Sequence, residues 1–178
     1  MPREETVTRS RTKGATPRII PHPISKGNGK KMKIRELQQA VVDALNGVEE
    51  LVQGGCNAYA EDDRDVYKLA EPWVQSGKVA LVVVTPEMTR NGDSASGIPA
   101  ETQLLVQCSE KPQVATRQPG VMRALDAAEI VMHALDGEQF CWLSTRQTMD
   151  TRNGVLTATA TFATTANLTS GQEAAAGD

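Results

Sequence analysis

Histidine, cysteine and clustered carboxylates are the side chains through which a chain of this size would do covalent, acid–base or metal chemistry, and here their spacing suits none of these. His22 lies between Pro21 and Pro23, and His133 follows Met132 in a helical pattern; each is too isolated for a catalytic triad or a pair of metal ligands. Cys56, Cys108 and Cys141 are odd in number and form no CxxC or Cys/His pairing, so they read as small buried hydrophobes in a reducing compartment. Gly27-Asn28-Gly29-Lys30-Lys31 looks like a phosphate loop. It lacks the glycine five positions before Gly29, the hydroxyl after Lys30 and a strand-to-helix setting. Glu61-Asp62-Asp63-Arg64-Asp65 lacks the alternating ligands and central glycine of a calcium loop, and reads instead as acids gathered at a helix start. No G-x-S-x-G or H-E-x-x-H occurs. The sequence therefore assigns no catalytic, cofactor-binding or metal-binding residue, and the expectation is a protein that is not an enzyme and carries no cofactor.

Charge is distributed far less evenly than the net value of −3 implies. Residues 1–32 hold eight Lys or Arg and two acids, +6, which leaves eleven bases against twenty acids, −9, for the rest of the chain. A cationic arm on an acidic body describes a chain built to lie on something else, another copy of itself included. The arm's prolines and glycines and its lack of any sustained period predict an extended segment. Within it Arg18-Ile19-Ile20-Pro21-His22-Pro23-Ile24 places three isoleucines on a stiff, proline-flanked stretch suited to a groove on a neighbour. The arm has no aromatic residue to stack on bases, so contact with DNA is expected only through its charge. Neither a signal peptide nor a membrane span is predicted, since no eighteen apolar residues run together.

The elements that would position any site belong to one domain over residues 33–168, followed by a tail over 169–178. Ile34, Leu37, Val41, Ala44 and Leu45 predict a helix over 33–46 that Asn46-Gly47 stops. Cys56 to Ala60 suits a short strand, and Val66, Leu69, Ala70, Trp73 and Val74 suit a second helix, weakened by Pro72. Val79 to Thr85 is a nearly continuous apolar run ended by Pro86, the mark of a central strand covered on both faces. A polar loop over 89–99 leads to an alternating strand over 100–109, with Thr102, Leu104, Val106 and Cys108 on one side. A linker over 112–120 precedes a helix over 121–136, lined by Val121, Leu125, Ala128, Val131, Met132 and Leu135. Two strands over 140–148 and 155–165, joined through residues 150–154, close the pattern. Trp73, Trp142, Phe140 and Phe162 are the largest pieces available for the core. The fold class expected is α/β of the α+β kind: a single domain with a mixed, mainly antiparallel sheet, helices packed on it, and an extended N-terminal arm.

This succession resembles the tail terminator and tail-completion (minor tail) proteins of tailed bacteriophages. The stretches that carry it are I-R-E-L-Q-Q-A-V-V-D-A-L-N-G, V-A-L-V-V-V-T-P-E-M, L-L-V-Q-C-S-E-K-P and D-A-A-E-I-V-M-H-A-L-D-G. The resemblance implies a structural virion protein of the tail or neck, assembled in the host cytoplasm. Its copies would form a homohexameric ring that caps the tail tube protein and offers a surface to neck, connector or sheath proteins. Arg9, Arg11, Lys13 and Arg18 would then be charged interface contacts, Ile19, Ile20 and Ile24 apolar anchors, and Arg90, Asn91 and Asp93 part of a loop facing the lumen or the adjoining ring, with DNA reached only through the arm or lumen. The long basic arm departs from the family pattern. A head–tail connector, another minor tail subunit, or a small binding module whose arm touches nucleic acid are the alternatives.

Overall fold

In the computed structural model, residues 33–61, 65–90, 98–115, 120–137 and 139–168 are described. They fold as one α+β domain around a five-stranded sheet of order β1-β2-β3-β5-β4. The chain enters through α1 (Ile34–Asn46), whose first turn is fixed by the Lys33 backbone N–H donating to Glu36 Oε2 at 3.1 Å. Leu37, Val41, Val42 and Leu45 recur at helical spacing and are buried. A second short helix, α2 (Glu49–Gln53), occupies a stretch for which the sequence pattern predicts no definite state. It ends at Gly54, where an added Cβ would come within 2.6 Å of Met122 Cε, so only glycine lets the segment before α5 pack so closely.

Strand β1 (Asn57–Ala60), helix α3 (Val66–Gln75) and strand β2 (Ala80–Arg90) form a crossover unit in which β1 and β2 run parallel. Pro72 lies inside α3, which continues through it for a further three residues. Gly77 then turns the chain at φ +82°, a conformation that favours glycine. β2 is longer than the sequence predicts. Pro86 does not end it: the pairing with β3 (Ile98–Glu110) shifts register between Val84 and Glu87 and resumes to Arg90 opposite Ala100. A proline has no N–H to place in a ladder, so a register shift beyond the end of β1 is where a strand tolerates it. Strand thus replaces both ends of the expected loop over 89–99, and the heart of that loop lies outside the described residues.

The expected linker begins as a helical turn, α4 (Pro112–Ala115), and the next helix, α5 (Ala124–Leu135), starts three residues later than predicted. β4 (Phe140–Asp150) and β5 (Val155–Leu168) then form a hairpin in which β5 lies between β3 and β4. Three of the four strand pairings are antiparallel. β2 is covered on both faces, as its sequence predicts, but β3 holds the middle of the sheet.

Two cores of unequal size flank the sheet. On one face α1 and α5 enclose Leu81 and Val83 of β2, Leu104, Val106 and Cys108 of β3, and Ala158, Ala160 and Phe162 of β5. On the other face α3 alone packs Val66, Ala70 and Val74 against Ala80, Val82 and Val84. Because α3 lies mainly over β1 and β2 and reaches only Leu105 of β3, no described helix covers the rest of that face, and Gln107 of β3 and Thr159 and Thr161 of β5 there are only partly buried. Small residues on α5 (Ala124, Ala127 and Ala128, all fully buried) let that helix approach the sheet closely, whereas Leu125, expected on the buried side, is half-exposed.

Candidate functional site

The residues proposed from sequence as contacts lie mostly beyond the described structure. Arg9, Arg11, Lys13, Arg18, Ile19, Ile20, Ile24, Asn91 and Asp93 are outside the described residues, and Arg90 ends β2 with its backbone opposite Ala100. His133 is exposed on α5. Of the acidic run, Asp65 stands at the start of α3 without capping it and pairs with Lys68 at 2.9 Å. Glu61 instead accepts the Thr85 backbone N–H at 3.4 Å, and residues 62–64 are outside the described residues. No group of three His, Cys, Asp or Glu residues with metal-binding geometry occurs among the described residues.

The cysteines divide. Cys56 and Cys108 are buried, and burial raises the Cys56 thiol to about 11 and pushes the Cys108 thiol still higher, so neither is a nucleophile at neutral pH. Cys141, expected inside with the others, is exposed on β4. Trp142 departs from expectation for the same reason: it leaves 39% of its surface in solvent, and its indole N–H donates to Thr145 Oγ1 at 3.1 Å. Both belong to the part of β4 beyond Phe140, where every residue is exposed.

Three features that sequence reasoning missed are built from distant parts of the chain. The first is an open cleft of about 430 Å³ on the sparsely covered face, between α3 and the β4–β5 turn. Ala70, Val74, Val82 and Val155 supply its apolar lining, and Glu71, Lys111 and Arg152 its charged groups. Lys111 Nζ is held by Gln75 Oε1 at 2.8 Å, and the Ser109 and Thr157 hydroxyls bond each other at 2.9 Å, beside the cleft. The Ser109 hydroxyl is thus engaged by Thr157, and Glu71 is the one carboxylate in the described lining, which holds no histidine. The second is an ion pair. Glu110, 1% exposed at the end of β3, accepts from Arg123 Nε through both carboxylate oxygens, at 2.8 and 3.1 Å. That contact holds the guanidinium charged, its pKa raised by hydrogen bonding to Glu110 and then by its charge, and ties β3 to the start of α5.

The third is the outer edge of β4, where every residue after Phe140 is exposed. The opposite edge of the sheet is handled differently. There the Asn46 side chain accepts the Ala58 backbone N–H at 2.9 Å and donates to the Ala58 carbonyl at 3.3 Å, standing in for a neighbouring strand along four-residue β1. Nothing comparable covers β4 beyond its first residues among the described residues. A lack of period-2 alternation in F-C-W-L-S-T-R-Q-T-M-D is the one sequence signal that could have shown this strand to be an edge.

No protein-family model matches the chain, and no curated protein matches it. No described helix is long and apolar enough to cross a membrane.

Proposed function

We propose that this chain is a structural subunit of a tailed-bacteriophage virion, a tail terminator whose copies close into a ring of six on the tail tube and present an attachment surface to the head or neck. The observation that carries the reading is the charge division, +6 on the first thirty-two residues against −9 on the remainder. Contact between unlike patches on successive subunits is what a head-to-tail ring requires, and an arm of one sign reaching a body of the other supplies it. The single α+β domain agrees with the family resemblance of its sequence. In this reading Arg9, Arg11, Lys13 and Arg18 meet acids of the neighbour, Ile19, Ile20 and Ile24 fill an apolar groove there, and residues 89–99 face the lumen or the tube. The protein would then reside in the virion tail or neck after assembly in the host cytoplasm.

Native mass spectrometry of the full chain, and of a chain beginning at Lys33, at low and moderate salt tests this. A closed ring of six that loosens on truncation or with salt is the expected result. If the full and shortened chains are both monomeric at every salt, self-assembly through the arm is refuted. The arm's charge then favours a second reading, a module that touches nucleic acid, whose DNA affinity falls steeply with salt and vanishes without residues 1–32.

A further inference from the structure

We infer that β4 is a self-pairing edge, through which two copies of this chain join antiparallel about a two-fold axis at Thr148. This contact is independent of the arm. Its first residues are already covered, because the Trp142 backbone N–H donates to Asp136 Oδ1 at 3.0 Å and the Gly137 N–H to the Phe140 carbonyl at 2.9 Å. Beyond a register shift between Trp142 and Ser144, the stretch Leu143 to Asp150 is exposed throughout and, among the described residues, pairs on one side only, with β5. It contains no proline and no lysine, the usual devices for keeping a free edge from pairing.

The sequence of this stretch selects its occupant. Arg146 and Asp150 are its only charges. They lie opposite Thr159 and Val155 of β5, so with Thr148 they share the sheet face away from buried Ala158 and Ala160. An antiparallel pair of identical strands can centre on any residue, because both partners then turn outward-pointing backbone groups to each other. Centring on Arg146 would oppose two like charges. Centring on Thr148 opposes Arg146 to the second copy's Asp150 and Asp150 to the second copy's Arg146, on one face, and sets Gln147 against Met149 on the other. This contact is isologous and closes after two copies, so the edge is used up and no open fibre can grow from it. Met149, about half-exposed in the free chain, gains cover from the second copy.

The test uses the full chain with Cys141→Ser, which removes the exposed thiol, and Thr148→Cys added. Mild oxidation is expected to give a disulfide-linked dimer across the axis, while the same substitution at Thr145 is expected to cross-link poorly. In sedimentation experiments on the chain without added cysteine, Arg146→Glu is expected to weaken dimerisation about tenfold or more, since two attractive pairs become two repulsive ones. Arg146→Glu combined with Asp150→Lys is expected to restore it. Asp150 also accepts hydrogen bonds from Arg152 N and Asn153 in its turn, so the cross-link result stands apart from any variant that disturbs that turn. A monomer at about 100 µM, a dimer indifferent to Arg146→Glu, or cross-linking as strong at Thr145 as at Thr148 would each overturn the proposal. A missing six-membered ring would not.

Discussion

Replacing Arg123 with methionine tests how much of this fold depends on one ion pair. Glu110 is buried with Arg123 as its hydrogen-bonding partner, and leaving a buried carboxylate without its cation costs about 3–5 kcal/mol in general. Two considerations reduce that figure here. The Arg123 side chain is 43% exposed, so its removal opens a path for water to Glu110, and methionine keeps much of the aliphatic stem's packing. About 2–3 kcal/mol is the resulting expectation, a large share of the total for a domain of this size. Urea denaturation followed by tryptophan fluorescence measures it, with an unchanged m-value showing that the midpoint shift reflects stability. Adding Glu110→Gln to Arg123→Met separates the causes. If the loss is the unpaired charge, the double variant recovers more than half of it; if it is lost packing, the double variant stays as unstable as the single one. A loss below about 0.5 kcal/mol for Arg123→Met would refute the reasoning, since it would make this a surface pair of the kind that contributes little.

Asn46→Leu is expected to cost about 1.5–3 kcal/mol, because it strips both hydrogen bonds from the outer edge of β1 while keeping side-chain volume; thermal melting checks this, and Asn46→Asp should also destabilise by setting a carboxylate against the Ala58 carbonyl. A thiol reagent at pH 8 is expected to modify one cysteine, Cys141, quickly, and to reach Cys56 and Cys108 only on unfolding. The sign follows from burial, which raises both buried thiols and so depletes the reactive thiolate, and rapid modification of a second thiol in the native chain would contradict it.

How legible the fold was depended on whether a residue's environment was set by its neighbours in sequence. Leu37, Val41 and Leu45, or Leu104, Val106 and Cys108, lie on one face by geometry alone, so α1 and β3 could be read directly. Pro86 misled because its meaning depends on the partner strand: opposite a register shift it is tolerated, and only the pairing reveals the shift. Leu125, Cys141 and Trp142 are apolar enough for a core, but α5 buries its alanine face and β4 has no second strand beyond it among the described residues. Nothing local distinguishes those outcomes. The Glu110–Arg123 pair and the cleft bring together groups from separate elements, which is why charge counting along the chain could not find them.

The two proposed contacts obey different physics, and this lets one experiment tell them apart. An arm of +6 meeting a body of −9 interacts through many separated charges, which salt screens over about 8 Å at physiological ionic strength. Pairing along β4 rests on backbone hydrogen bonds and two cross-strand pairs at short range, which salt weakens far less. Raising salt should therefore dissolve head-to-tail contacts first and leave two-fold dimers, while truncation before Lys33 should act only on the former. Isologous and head-to-tail contacts cannot use the same surface on the same subunit pair. A subunit that has both can be held in closed pairs until the arm finds its neighbour, and the free edge is then protected at the stage when an exposed strand is most prone to pair wrongly.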